Sequence, residues 1–559
     1  MAGSAKAPGP ASAPGRGTGR KQAAGGSPRP GRRPGPAPAG GPRSQRPRQG
    51  RADPVRRAAC DVLCAVAERD AYANLLLPAV LAQRGLGGRD AALATELTYG
   101  TLRGQGTYDA VLAICSDRDL GTLDLAVREI LRLGTHQLLA TRVAPHAAVA
   151  TSVDLVRDIV GQRAAGFVNA ILRRVSTRDL DAWLEIAAPS RADDIIGHLA
   201  VRYSHPRWIV TALSDALGET PPGSAGQTGL AESGLAESGL AESGLAASEL
   251  SESGLAESAL AETEAVLAAD NERPRVTLCA VPGLAEQAEL AEWGASPARW
   301  SEFGAYLRDG DPARIPAVAQ ARAGAQDEAS QLAAIALTRV PVAGSDSRWL
   351  DLCAGPGGKA RLLAGLAVRS GARLLAAELR EHRARLVRSA VSAWPSADQV
   401  QAGRAQAGQG GPPAGVVVAD GRRPAWAAGT FDRVIADVPC SGLGALRRRP
   451  EARWRRSPET VSGLHGLQRR LLRTALDSVR PGGVVAFVTC TPHLAETRGV
   501  LADVLPARRD VEVLDAPAIL AEVPGLACSG PDSRYAQFWP HRHGTDGIFI
   551  ALLRRLPAA

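Results

Sequence analysis

From about Gln326 to the C-terminus, short β-rich runs alternate with helical stretches. The runs are RWLDLC, RLLAAEL, GVVVAD, FDRVIADV, GGVVAFVTC and GIFIALL, and HGLQRRLLRTALDSV is one of the stretches between them. Strand and helix in alternation predict a parallel, doubly wound sheet covered by helices on both faces. On such a sheet ligands collect at the carboxyl ends of the strands. Each chemical motif described below falls at such an end.

The rest of the chain has a different grammar. From Asp53 to about Arg174 the pattern is helical. In LDLAVREILRLGTHQLLA, Leu123, Val127, Ile130, Leu131 and Leu138 recur at helical steps and leave one face for burial, which predicts a bundle. A second region, 181–325, is interrupted by a tract from Gly229 to Thr263 that repeats GLAES with variations. A five-residue period matches neither the helix nor the strand period, so the tract (insertion 221–265) reads as an acidic insertion, partly helical or disordered. Residues 1–50 carry ten Lys or Arg and ten Pro with no acid, while the whole 559-residue chain has a formal charge of +9. Residues 1–52 therefore read as a disordered basic tail, either a solvated segment that keeps the protein soluble or one that attracts a polyanion such as RNA. No run approaches ~18 apolar residues and no apolar signal core is present, so the expected setting is the cytoplasm, away from membranes. The eight cysteines form no metal-like cluster, and no metal is expected.

The first strand of the alternating region runs into DLCAGPGGKA, residues 351–360. Gly355, Gly357 and Gly358 allow close backbone approach to a ligand and a sharp turn into a helix whose first amides favour an electronegative partner. The order GPGG is neither the GxGxxG dinucleotide fingerprint nor a phosphate loop, which disfavours nicotinamide and ATP. Glu378 ends the next strand, at the distance where an acid commonly accepts from ribose hydroxyls. Outside the tail Lys359 is the only lysine, and a compact ammonium is not interchangeable with a guanidinium. Two cysteines stand at strand ends, Cys440 in DVPC and Cys490 in VTCT. On the residues alone Cys440 looks the better nucleophile, because the Pro-Cys turn fixes its backbone. In RRRPEARWRR, arginines surround Trp454, a combination that pairs phosphates and stacks splayed bases.

Taken in order, LRLGTHQLLATRVAPHAAVATSVDLV with AAGFVNAILRR, then DLCAGPGGKA, ADVPCSGLGALRRRPEARWRR and VTCTPHLAET resemble the Sun/Fmu (RsmB-like) family of RNA cytosine-C5 methyltransferases with an N-terminal NusB-like domain. The resemblance covers most of the chain from residue 53. It implies an all-α NusB-like RNA-binding bundle at 53–180, a small α+β middle domain at 181–325 flanked by YSHPRWIV and NERPRVTLCA, and an α/β Rossmann-like methyltransferase domain at 326–559. The implied cofactor is S-adenosyl-L-methionine (AdoMet), held by Cys353, Ala354, Gly355, Pro356, Gly357, Gly358, Lys359, Glu378, Asp420 and Asp437. It reverses the reading of the cysteines: Cys490 becomes the nucleophile, Cys440 assists product release, Asp437 meets the cytosine edge, and Lys359 helps position that site. Arg447, Arg448, Arg453 and Trp454, with Arg173 and Arg174 of the bundle, become candidate RNA contacts. The implied partner is small-subunit ribosomal RNA and the expected state a monomer. A tRNA substrate, or a non-catalytic RNA-binding assembly factor, stand as alternatives. The chain departs from the family pattern at Glu378 (usually Asp), at Thr491 (commonly Ser), and at Ala495–Thr497, where an ENE-like run is usual.

Overall fold

A computed structural model of the chain describes residues 52–69, 71–218, 259–394, 413–528 and 534–557. The basic tail up to residue 51 and the repeat tract up to residue 258 lie outside the described residues. The described residues form one compact unit.

The predicted bundle is built from helices that include Pro54–Arg69, Gly88–Arg103, Leu125–Ala140, Pro145–Ile159 and Gln162–Val175. Asp124 caps the third of these by accepting from the Ala126 and Val127 amides, which satisfies donors that a helix start leaves open. Val127, Ile130 and Leu131 are buried, and Leu138 packs half-buried on the same core. Burying each such side chain stabilises the bundle by roughly 1.5–3 kcal/mol.

The middle region begins with helices Ile195–Arg202 and Arg207–Leu217 and a helix over residues 259–270. The last repeat unit, ALAET at 259–263, belongs to that third helix, and Thr263 is buried. The end of the tract is therefore folded structure. A small antiparallel sheet follows, formed by β1 (Val276–Ala280), β2 (Ala295–Pro297), β3 (Gly304–Leu307) and β4 (Ala323–Ala325) in the order β2-β3-β1-β4.

The large sheet contains β5 (Arg348–Asp351), β6 (Arg373–Glu378), β7 (Ala414–Val418), β8 (Phe431–Asp437), β9 (Val479–Thr489), β10 (Val511–Leu514), β11 (Ala536–Gln537) and β12 (Phe549–Arg555). Its order is β10-β12-β9-β8-β5-β6-β7, with β11 paired to β12. Strands β5 to β9 are parallel, as expected. The sheet is nevertheless mixed, because β12, the GIFIALL run, lies antiparallel between β9 and β10. A side-chain pattern of period two is the same in both directions, so it carries no information on strand polarity. Helices Glu328–Arg339 and Gly358–Arg369 supply apolar side chains to the core on one face, and Pro458–Ser478 and Arg498–Val504 to the core on the other. The chain runs β5 to β6 to β7 in one direction and β8 to β9 in the other. Strand order thus reverses between β5 and β8, which opens a crevice at their carboxyl ends.

Candidate active site

Beyond β5 the loop 352–357 is tied to its neighbours at nearly every residue. Cys353 N–H donates to Asp351 Oδ1 at 3.3 Å, and Ala354 N–H donates to the Ala377 carbonyl on β6 at 2.9 Å. Gly355 N–H donates to Glu378 Oε2 at 3.1 Å, and Arg383 donates to the Gly355 carbonyl at 2.5 Å. A Cβ at Gly355 would lie 2.2 Å from Glu378 Oε2, so only glycine admits this contact. Gly357 has φ +110°, and a Cβ there would stand 2.6 Å from that of Ala390. Its left-handed backbone starts the helix Gly358–Arg369.

The two acids expected at the cofactor are differently engaged. Glu378 is 6% exposed and also accepts from Arg380 N–H at 3.0 Å, so it braces the glycine loop while keeping acceptor capacity for a further donor. Asp420, two residues past β7, is clasped by Arg422 at 2.7–3.0 Å, which holds its carboxyl down at about 2. A third acid was not singled out from the sequence. Asp351 is 1% exposed, its Oδ2 has no hydrogen-bond partner among the described residues, and burial, with the nearby Asp437 charge, pushes its carboxyl up to about 7.

At the end of β8 the Lys359 ammonium donates to Asp437 Oδ2 at 2.8 Å and to Ser330 Oγ at 3.1 Å. Burial alone would lower its pKa, but the Asp437 charge and hydrogen bond outweigh that and raise it, so Lys359 stays charged. The Cys440 and Cys490 sulfurs are 3.2 Å apart and both partly exposed. Their surroundings differ in sign. Cys490 is held below the usual thiol range, first by the hydrogen bond from Cys440, with Lys359 and Arg449 adding positive charge. Cys440 is pushed well up by that same hydrogen bond and by burial, and its other charged neighbours are the acids Glu496 and Asp437. The surroundings thus favour the charged form at Cys490 over the charged form at Cys440. Cys353 is also pushed up, by burial and by Asp351, and stays a neutral thiol in the loop.

One residue that the sequence reading passed over organises the Cys440 turn. Glu496, six positions after Cys490, is fully buried. It accepts from Ser441 N–H at 2.8 Å, from the Ser441 hydroxyl, and from Gln468 Nε2 at 3.0 Å. Gln468 donates in addition to the Pro439 carbonyl at 2.9 Å, and Gly444 N–H to the Cys490 carbonyl at 3.0 Å, so both cysteine loops are cross-tied. The only sequence trace of this was a lone carboxylate within TPHLAET.

A family model for 16S rRNA methyltransferase RsmB/F matches residues 341–554, and one for the NusB family matches residues 53–177. The chain is 46% identical over 516 residues to the Mycobacterium tuberculosis protein named "Putative methyltransferase Rv1407", covering 92% of this chain and 99% of that one. The chain belongs to the RsmB/F methyltransferase family. It is also 28% identical over 514 residues to the ribosomal RNA small subunit methyltransferase B of Pseudomonas putida, covering 90% and 99% of the two chains. The crystal structure of PH0851 shares its fold, with a TM-score of 0.65, 19% identity, and coverage of 91% of this chain and 100% of that one.

RsmB/F methyltransferases use AdoMet, a cofactor that carries a sulfonium and an ammonium. The crevice fits it. Asp351, Glu378 and Asp437 surround the glycine loop beside the cations Lys359 and Arg383, and Asp351 keeps an orphaned acceptor there. Carboxylate oxygens in that position suit the ammonium and hydroxyl donors of such a cofactor.

For the arginines of this RsmB/F chain the sequence reading needs correction. Arg447 is 6% exposed and, with Arg448, is locked to Asp327 and Asp546 at 2.7–3.1 Å. Arg453 is fully buried and donates to Asn271 Oδ1 at 2.7 Å and to the carbonyls of Asp270, Ser204 and Arg103 at 2.8–3.2 Å. These guanidiniums join the bundle, the middle region and the large sheet, and their hydrogen bonds go to protein rather than phosphate, the Arg453 Nε being buried without a partner among the described residues. Trp454 stays 36% exposed, and Arg173 and Arg174 are exposed at the end of helix Gln162–Val175.

Proposed function

We propose that this protein transfers a methyl group from AdoMet to carbon 5 of a cytosine in small-subunit ribosomal RNA, through a covalent adduct between Cys490 and carbon 6. The observation that carries the reading is the pair of sulfurs 3.2 Å apart beside the Lys359–Asp437 ion pair. AdoMet supplies an electrophilic methyl carbon; every other step falls to the chain. Carbon 5 of cytosine is a weak nucleophile until a thiolate adds to carbon 6, which turns the ring into an enamine. Cys490 is the thiol whose surroundings lower its pKa and so favour the thiolate. Asp437, fixed by Lys359, has an oxygen left to accept from the cytosine amine.

Release follows from the same pair. The chief cause of the raised Cys440 pKa is its hydrogen bond to Cys490. Once the Cys490 sulfur is bonded to carbon 6 it is no longer an anionic acceptor, and Cys440 can lose its proton to solvent. The resulting thiolate takes the carbon-5 proton, the double bond re-forms, and Cys490 leaves as a thiolate. The NusB-like bundle at 53–180 and the middle region at 181–325 hold the RNA for the catalytic part at 326–559. The protein acts in this reading as a cytoplasmic monomer.

The test uses methyl-labelled AdoMet with ribosomal RNA and purified protein. Cys490→Ala abolishes transfer and forms no adduct, whereas Cys440→Ala accumulates a denaturant-resistant protein–RNA complex. Full turnover by Cys490→Ala refutes the assignment. Bisulfite sequencing of rRNA and tRNA from cells with and without the protein identifies the substrate. Loss of 5-methylcytosine from tRNA alone refutes the ribosomal reading.

A further inference from the structure

A cavity of about 480 Å³ lies where the bundle meets the catalytic part, with Tyr72, Arg128, Glu129, Glu451, Trp454 and Arg456 in its wall. It is distinct from the crevice at the strand ends. Two of its charged groups each have one buried atom without a hydrogen-bond partner among the described residues. Glu451 is 2% exposed; its Oε1 accepts from Ala73 N–H at 3.3 Å, and its Oε2 accepts from nothing. The buried Nε of Arg128 lies 3.6 Å from Glu129 Oε1, beyond hydrogen-bond reach, and Glu129 Oε1 is already taken by Arg132 at 2.7 Å. One unpaired acceptor and one unpaired donor thus belong to residues in the wall of a cavity that also holds an indole. Gly106 leaves room for that ring, since a Cβ there would come within 2.5 Å of it.

We propose that this cavity holds a second nucleobase of the RNA substrate, unpaired and bearing an exocyclic amine, stacked on Trp454. The inference rests on the reading that the protein binds RNA. Stacking on an indole accepts any base, because each has a π face. The edge is selected by hydrogen bonds: the amine donates to Glu451 Oε2, and a ring acceptor next to it receives Arg128 Nε–H. Adenine, cytosine and guanine present such an amine, and uracil has none. The cavity also reaches the chemistry, because Arg456 in its wall donates from Nε to the Ser441 carbonyl at 3.1 Å, next to Cys440.

The experiment measures binding of labelled oligoadenylate and oligouridylate to the full chain by fluorescence anisotropy, adenine being chosen because it is not the methylated base. The wild type should prefer oligoadenylate by about tenfold, the size of one good base-edge contact. Glu451→Gln, which keeps the acceptor for Ala73, and Arg128→Gln should each erase that preference while leaving oligouridylate binding and AdoMet affinity unchanged. Trp454→Ala should weaken both oligonucleotides. Absence of a preference in the wild type, or its survival in both edge variants, overturns the proposal. If the wild type methylates RNA yet shows no preference, only this inference fails; if it neither methylates nor binds RNA, the proposed function fails with it.

Discussion

Glu496→Ala tests whether the Cys440 turn is held from beneath. The carboxylate is fully buried and accepts three hydrogen bonds, two from Ser441 and one from Gln468. Hydrogen bonds to a charged acceptor contribute roughly 1.5–3 kcal/mol each. Part of that is offset, because deleting the charge also removes its desolvation cost. The Ser441 hydroxyl keeps Thr491 at 3.2 Å and Gln468 keeps the Pro439 carbonyl, so the group left stranded is the Ser441 amide. The net loss should be about 2–4 kcal/mol. Glu496→Gln retains an acceptor for that amide and should cost about 1 kcal/mol. Urea unfolding gives these values, and the rate of Cys440 alkylation by iodoacetamide reports the turn itself, rising with Ala and changing little with Gln. An Ala variant within ~1 kcal/mol of wild type, or one destabilised with Cys440 no more reactive, would refute the reasoning.

Three further outcomes are expected. Lys359→Met should move the pH midpoint of Cys490 alkylation upward by roughly one to two units, the effect of a unit charge ~6–12 Å away at an effective dielectric near 20. Gly357→Ala forces an L-residue into φ +110° against Ala390, and should lower AdoMet affinity at least ~10-fold by calorimetry. Asp351 has its carboxyl raised from 3.8 to about 7 in the fold, so folding favours the protonated form, and stability is lost as pH rises through that window. Asp351→Asn should remove this dependence, gaining on wild type by up to about 4 kcal/mol between those limits in urea titrations without cofactor.

What was legible in the sequence was what neighbours in the chain decide. The glycine loop could be read because Gly355 and Gly357 answer to backbone geometry within a few residues. Strand β9 could be read because GGVVAFVTC is long and apolar throughout. VEVL at β10 and AQ at β11 are too short to announce themselves, and β10 is only half-buried. Arg453 looked like an RNA contact since its acceptors come from Arg103, Ser204 and Asp270, far along the chain. Arg447 answers to Asp327 and Asp546 in the same way. Glu496 was hidden because a buried carboxylate and a solvated one are the same letter. The choice between the two cysteines came from family resemblance; the charges on either side of each sulfur supply a physical reason for it.

The short helix Ala452–Arg455 carries one consequence beyond stability. Arg453 and Arg455 within it and Glu451 before it donate to or accept from Arg103, Ala73, Val66 and Ala71 of the bundle, while Arg456 after it reaches the Cys440 turn. These few residues make a caliper. The span between the bundle seam and the two sulfurs is set by this run of buried and part-buried hydrogen bonds. In the proposed function, an RNA held both at the seam and at the thiols would have to bridge that span.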